Sequence, residues 1–283
     1  MKISRIESIL YGAEDLDAGI RFHEDWGLPC ISRGSHGADF ALPSGQMIFV
    51  RHIDDPGLPP AVEAGSTARE ITWGVEDQES LEEIAAELSR DRAVAIDADG
   101  GIHTHDPNHA AIAFRVVRPE LSPDTRRLAP TGGAVPPVSP ARLAHVVFTV
   151  TKELGRPTSD FYVDRLKFRI SDRVLDNGDF LRASGAHDHH NLFIQHRVNK
   201  LTFNHAAFQM DNFDDVMRAG KYMRDRGWET AIEPGAHFVS SQRYWYFKNP
   251  CGGEAEYYST DRTFDDNWQT RVWETAPRVP TSA

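Results

Sequence analysis

Hydrophobic and polar positions fall into short runs with two different periods. Segments such as "RIESILYG", "REITWGVE", "RLAHVVFTV" and "TFNHAAFQM" read as strands. Each stands ahead of a helical stretch. In "DQESLEEIAAELSRD", Leu81, Ile84, Ala85 and Leu88 share one helical face, and in "NFDDVMRAGKYMRDRG" the residues Phe213, Val216, Met217 and Gly220 do the same. Gly227 supplies a stop. Further strand-like pieces follow: "CISRGS", "ADFALPS" and "QMIFVRHI" in the first half, and "FRISDRV", "DFLRASG" and "HNLFIQHR" in the second. "ETAIEP", "RYWYFKN" and "EAEYYS" close the pattern. Four copies of a strand–helix–three-strand unit are the simplest account, because repetition at a fixed period is a strong fold signal. The expectation is an α+β chain of four βαβββ modules, paired into two halves.

A stretch from Arg118 to Ala141, rich in Pro and Gly and without apolar periodicity, reads as a connector. The expected organisation is a first pair of modules over 1–118, a linker over 119–141 and a second pair over 142–262. A polar tail with two tryptophans over 263–283 should pack on the outside of the second pair.

Composition narrows the classes. The chain has 283 residues, 40% apolar and 26% charged, as in ordinary globular proteins. Its formal charge of −11, with no basic stripe, argues against a nucleic-acid surface. No apolar run approaches the roughly 18 residues that would span a bilayer, so no membrane partner is expected. The start "MKISRIESILYG" has no signal-peptide pattern, and the two cysteines, Cys30 and Cys251, form no disulfide framework. A cytoplasmic location is the default expectation.

The candidate chemistry starts from "NPCGGEAEYYS", where Glu254, Glu256 and Tyr258 share one face of a strand. A strand that points carboxylates one way has either water or positive charge against it. His145 in "LAHVVF" and His205 in "FNHAAF" occupy equivalent places in the first strands of the two second-half modules. Two imidazoles and one carboxylate from three strands form the facial triad of non-haem Fe(II) sites. In the first half the matching strands lack histidine. Ala113 lies six residues after Pro107, as Glu256 lies six after Pro250. The first half therefore reads as a metal-less copy. A rival group, His103, His105 and His109, lies around turns and is expected to face solvent.

These residues resemble the type I extradiol catechol dioxygenases of the vicinal oxygen chelate superfamily. The resemblance rests on Tyr246, four residues before Pro250, followed by Gly252 and Glu256. It rests also on His237 nine before Tyr246, and on His190 fifteen before His205. It implies two vicinal-oxygen-chelate barrel domains and an Fe(II) centre, with Mn(II) an alternative ion, on His145, His205 and Glu256. His190 would be the acid–base residue, His237 and Tyr246 would orient substrate, and Val147 would border the pocket. The implied reaction is cleavage of a small aromatic vicinal diol by dioxygen, and a homo-oligomer is expected. His190 is expected to face inward by alternating with Leu192 and Ile194, whereas His187 and His189 should face solvent. Glu254 should sit at a wetter rim and Tyr257 on the opposite side of its strand. Two other readings share the same modules: a metal-dependent glyoxalase-like isomerase or lyase, and a non-catalytic ligand-binding protein.

Overall fold

The computed structural model describes residues 1–120, 136 and 138–275, so the expected linker lies mostly outside the described residues. The modules follow one another as the sequence pattern predicts. The first is β1 (Ile3–Ala13), α1 (Leu16–Asp25), β2 (Cys30–Gly34), β3 (Gly37–Ala41) and β4 (Met47–His52). The second is β5 (Thr67–Val75), α2 (Gln78–Leu88), β6 (Ala95–Ile96), β7 (Ile102–His105) and β8 (Ala111–Val116). The third is β9 (Arg142–Thr151), α3 (Lys152–Asp160), β10 (Arg169–Val174), β11 (Gly178–Arg182) and β12 (Leu192–Arg197). The fourth is β13 (Thr202–Gln209), α4 (Phe213–Asp225), β14 (Thr230–Ala236), β15 (Arg243–Lys248) and β16 (Glu254–Ser259).

Local chemistry sets the helix starts. The side chains of Asp15, Asp77 and Asn212 accept from the backbone N–H of Ala18, Ser80 and Asp215, three residues on in each case. Helix α3 has no side-chain cap and carries Pro157, which cannot donate to the preceding turn. It passes into a π-helical turn over Phe161–Arg165.

Each pair of modules makes one sheet, joined where the two first strands meet antiparallel. The strand order is β2-β3-β4-β1-β5-β8-β7-β6 in the first half. In the second it is β14-β15-β16-β13-β9-β12-β11-β10, extended by a short β17 (Arg271–Trp273). Strands far apart in this order line one cavity, so the sheet curves around it.

The described part of the tail, residues 263–275, does more than was expected of it. It does not merely lie against the second half, because β17 pairs in parallel with β10 and becomes the ninth strand of its sheet. Three residues with two flanking Trp–polar contacts are too short a strand for periodicity to reveal.

The two halves pack through aromatic rings. Trp73 of β5 meets the edges of Tyr162 and Phe168, and Tyr11 of β1 meets Phe203. The buried Gln46 amide donates to the carbonyls of Ile6 and Leu143 and accepts from Leu143 N–H, tying β1 to β9. Such a bridge satisfies backbone groups that the junction would otherwise strand away from water. No helix among the described residues is long and apolar enough to cross a membrane.

Candidate metal centre

Register brings the expected ligands together. Strands β9 and β13 run antiparallel with His145 opposite Ala207 and His205 opposite Val147. Strands β13 and β16 run parallel, with Ala207 opposite Glu256. His145, His205 and Glu256 therefore stand on adjacent strands, and all three are buried. The turn before β16 depends on Gly252 and Gly253, both at positive φ. A Cβ on Gly252 would lie 2.3 Å from the Ser66 carbonyl oxygen, so a side chain there would displace the strand that carries Glu256.

The three facing atoms form a small triangle. His145 Nε2 and Glu256 Oε2 are 3.1 Å apart, His205 Nε2 and Glu256 Oε2 3.4 Å, and the two Nε2 atoms 3.4 Å. Neither Glu256 oxygen nor His145 Nδ1 has a hydrogen-bond partner, although all are buried. Orphaned buried carboxylate oxygens are costly, and a cation between the three residues would satisfy those of Glu256. A triangle of that size has corners roughly 1.9 Å from its centre. That radius is close to the roughly 2.0–2.2 Å at which imidazole and carboxylate donors hold a divalent cation, so the three residues fit one.

Electrostatics agrees. Burial acts to raise the Glu256 carboxyl, but the imidazoles of His145, His205 and His237 hold it well below the usual carboxylate range. Burial pushes His145 down, so that its lone pair is available. The His205 Nδ1–H donates to Asn204 Oδ1, which leaves Nε2 as the bare nitrogen. Two imidazoles and one carboxylate make a donor set that fits a divalent metal. Among the described residues this is the one group of three so placed.

The triad opens onto a cavity of about 290 Å³. His190, His237, Tyr246 and Val147 all line it. His237 Nε2 lies 2.9 Å from the Tyr246 hydroxyl and 3.7 Å from Glu256 Oε1. Burial, with Glu256 nearby, raises the Tyr246 phenol well above its ordinary value, so it stays a donor. The His190 ring centroid is 4.1 Å from that of His145, and burial keeps its imidazole neutral. Phe180 and Phe193 stack at 4.0 Å with planes 1° apart and form an apolar wall. Glu254 is half-buried at the rim, where burial raises its carboxyl. Trp245 and Phe247 lie close in sequence but turn the other way, and Gly220 of α4 lets Trp245 pack closely against the helix.

Two histidine expectations change in the second half. His190 does reach the cavity, but not by alternation with Leu192 and Ile194, which are fully buried in the core. The cavity-lining members of β12 are Phe193 and Gln195. Strand β12 starts only at Leu192, and the preceding Asn191 side chain bonds Ala183 N–H and the Ala144 carbonyl. That irregular entry switches the phase of alternation. His189, expected in solvent, is 3% exposed and hydrogen-bonded to Asp172 and His190. His187 is exposed, as expected.

The first half contains a matching cavity without the ligands. Register places Ser8, Glu70 and Ala113 where the second half has His145, His205 and Glu256. His103 stands opposite Ala113 as Tyr246 stands opposite Glu256. Contrary to the sequence expectation, His103 is no solvent-facing turn residue. It lies half-buried in β7, bridging Glu70 at 2.8 Å and Asp97 at 3.0 Å. Those carboxylates, Glu70 first, raise its pKa to about 9. His105 and His109 are exposed.

Comparison with known proteins agrees with this geometry. Residues 142–257 match the family model of the Glyoxalase/Bleomycin resistance protein/Dioxygenase superfamily. A curated relative, metapyrocatechase 2 from Cupriavidus necator, is 28% identical over 171 residues, covering 56% of this chain and 52% of its own length. The chain thus spans about half of that relative. A Mn(II)-bound glyoxalase from Novosphingobium aromaticivorans superposes with a TM-score of 0.79 at 22% identity, over 98% of this chain and 89% of the other. A 2,3-dioxygenase from Pseudomonas sp. KL28 gives 0.79 at 17% identity, over 96% and 98%. Homoprotocatechuate 2,3-dioxygenase from Arthrobacter globiformis gives 0.78 at 17% identity, over 96% and 84%. The fold is therefore the two-domain vicinal oxygen chelate fold.

Proposed function

We propose that this protein is an extradiol dioxygenase that cleaves a catechol-type aromatic with dioxygen at a mononuclear Fe(II). The observation that carries the reading is the triangle of His145, His205 and Glu256. It opens on one side into a cavity whose remaining polar groups include an acid–base pair of residue types. His145, His205 and Glu256 would hold the metal. When bound, Fe(II) supplies adjacent open positions for two substrate oxygens and dioxygen, and a route for electrons between them.

The chain's own residues supply the rest. Tyr246 and His237 are hydrogen-bonded to each other at the cavity wall and would orient the substrate hydroxyls. His190, held neutral, would accept a hydroxyl proton and return it later in the cycle. Val147 and the Phe180–Phe193 wall exclude water from the ring.

Anaerobic reconstitution with Fe(II) or Mn(II), followed by oxygen uptake against a panel of catechols, tests the proposal. Uptake with a yellow ring-opened product is expected, with monophenols bound far more weakly. Equal binding of monophenols, or isomerisation of a glyoxalase substrate without oxygen uptake, would refute it.

A further inference from the structure

Behind His190 runs a chain of hydrogen bonds that ends in the C-terminal tail. His190 Nδ1 lies 3.0 Å from His189 Nδ1, and His189 Nε2 lies 2.5 Å from Asp172 Oδ2. Asp172, fully buried on β10, takes three more bonds. Two come from Arg271 Nε and Nη2, each at 2.7 Å, and one from Trp273 Nε1 at 2.8 Å. Arg271 Nη2 also donates to the carbonyl of Val239, a cavity-lining residue, at 2.7 Å. The rings of Trp268 and Trp273 flank the Arg271 guanidinium at 4.6 and 5.3 Å. Strand register places Asp172 beside Arg271, and Phe264 packs on His189. All of these tail residues lie beyond residue 257, outside the stretch matched to the superfamily.

The donor and acceptor roles along this chain are forced. Burial acts to raise the Asp172 carboxyl, but His189, Arg271 and Trp273 hold it below its ordinary value, so it is an ionised acceptor. His189 Nε2 must then carry the proton. Burial keeps His189 neutral, so its Nδ1 is bare and can only accept. The proton between the two Nδ1 atoms therefore belongs to His190. No protein group among the described residues pairs with His190 Nε2, and His190 lines the cavity.

We infer that the tail strand β17 is part of the working site. Through Asp172 and His189, the residues Arg271 and Trp273 fix His190 as the Nδ1–H tautomer, with its bare Nε2 left for the cavity. Arg271, Trp273, Asp172 and His189 are positioning residues, since none of them lines the cavity. Fixing the tautomer matters because a neutral imidazole can take a substrate proton only at its bare nitrogen. The use of His190 as a base rests on the dioxygenase reading, whereas its tautomer does not.

Proton–nitrogen correlation spectra of the metal-free, histidine-labelled full chain test the tautomer directly. The wild type should show a far-downfield Nε2–H for His189 and an Nδ1–H form for His190. An Nε2–H form of His190, or averaging between the two forms, overturns the inference. In Asp172→Asn the new amide can donate to His189, so both histidines should switch tautomer. Trp273→Phe, which keeps a ring but drops one bond to Asp172, should broaden or shift the His189 signal. With Fe(II) loaded, Asp172→Asn should keep its metal and hold its KM within about 3-fold, while kcat falls by roughly 10-fold or more. Unchanged kcat in Asp172→Asn also overturns it. If Asp172→Asn does not fold, the wild-type spectrum still decides. A wild type that shows the expected tautomers but turns over no catechol would refute the dioxygenase reading and leave this inference standing.

Discussion

Tyr257 of β16 lies flat on Trp26 at the end of α1, with ring centroids 3.5 Å apart and planes 5° apart. Its hydroxyl donates to the Trp26 carbonyl at 2.8 Å. The strand that carries Glu256 toward the cavity thus uses its next residue to grip the first half of the chain. Both rings are fully buried, and Phe22, Phe208 and Phe247 pack around Trp26.

That contact makes the halves interdependent. Trp26→Ala should cost about 3–5 kcal/mol through transfer and cavity effects, and Tyr257→Phe about 1 kcal/mol through the lost hydrogen bond. Denaturant titration of the metal-free protein checks both. A Trp26→Ala cost below about 1 kcal/mol would contradict the packing account.

One divalent metal per chain is expected after reconstitution, and Glu256→Ala, His145→Ala or His205→Ala should each lose it. Metal analysis after gel filtration gives the answer. A second ion would have to sit in the first half, where Ser8 and Ala113 stand at two of the three ligand positions. Two ions per chain would overturn that assignment.

His190→Asn should behave differently from the ligand variants. Metal content and catechol binding should hold while turnover falls roughly 10²-fold, the usual size of one acid–base contribution. Metal loss in this variant would make His190 a ligand instead.

No lysine or arginine is among the described residues that line the cavity, and Glu254 stands at its rim. Neutral catechols should therefore be better substrates than ring-carboxylated ones, at the level of kcat/KM. A preference for the carboxylated compounds would show that another basic group reaches the site.

His103 makes a prediction about pH. Its folded pKa, about 9, lies above the unfolded value of about 6.5. The stability it contributes is therefore complete below about pH 6.5 and is lost as pH rises toward 9. His103→Asn should be less stable than wild type at pH 6, by under about 1 kcal/mol because the pair is partly exposed. The gap should close by about pH 9.5. A gap that widens with rising pH would reverse the sign and refute the account.

Much of this protein was legible from local pattern. The four modules, the first copy without the three donor residues and the three candidate ligand positions follow from strand period, turn residues and repetition. Each of those signals acts within one strand or between equivalent strands, and once β9, β13 and β16 pair, side-chain parity places His145, His205 and Glu256 on one face.

What the sequence could not determine is carried by contacts that break regularity or span the chain. His190 reaches the cavity because Asn191 interrupts the strand, so alternation pointed to the right residue for the wrong reason. His189 is buried because Asp172, seventeen residues before it, reaches it from another strand, and Asp172 is itself held by Arg271 of the tail, ninety-nine residues further along the chain from Asp172. His103 leaves the solvent because Glu70 and Asp97 close on it. The chain neighbours of His189 and His190 are all polar, and those of His103 are Ile102 and Thr104, so local sequence gives no consistent sign of burial. Whether an imidazole is solvated or enclosed depends on which carboxylate reaches it through space, and that is decided only when the sheets close.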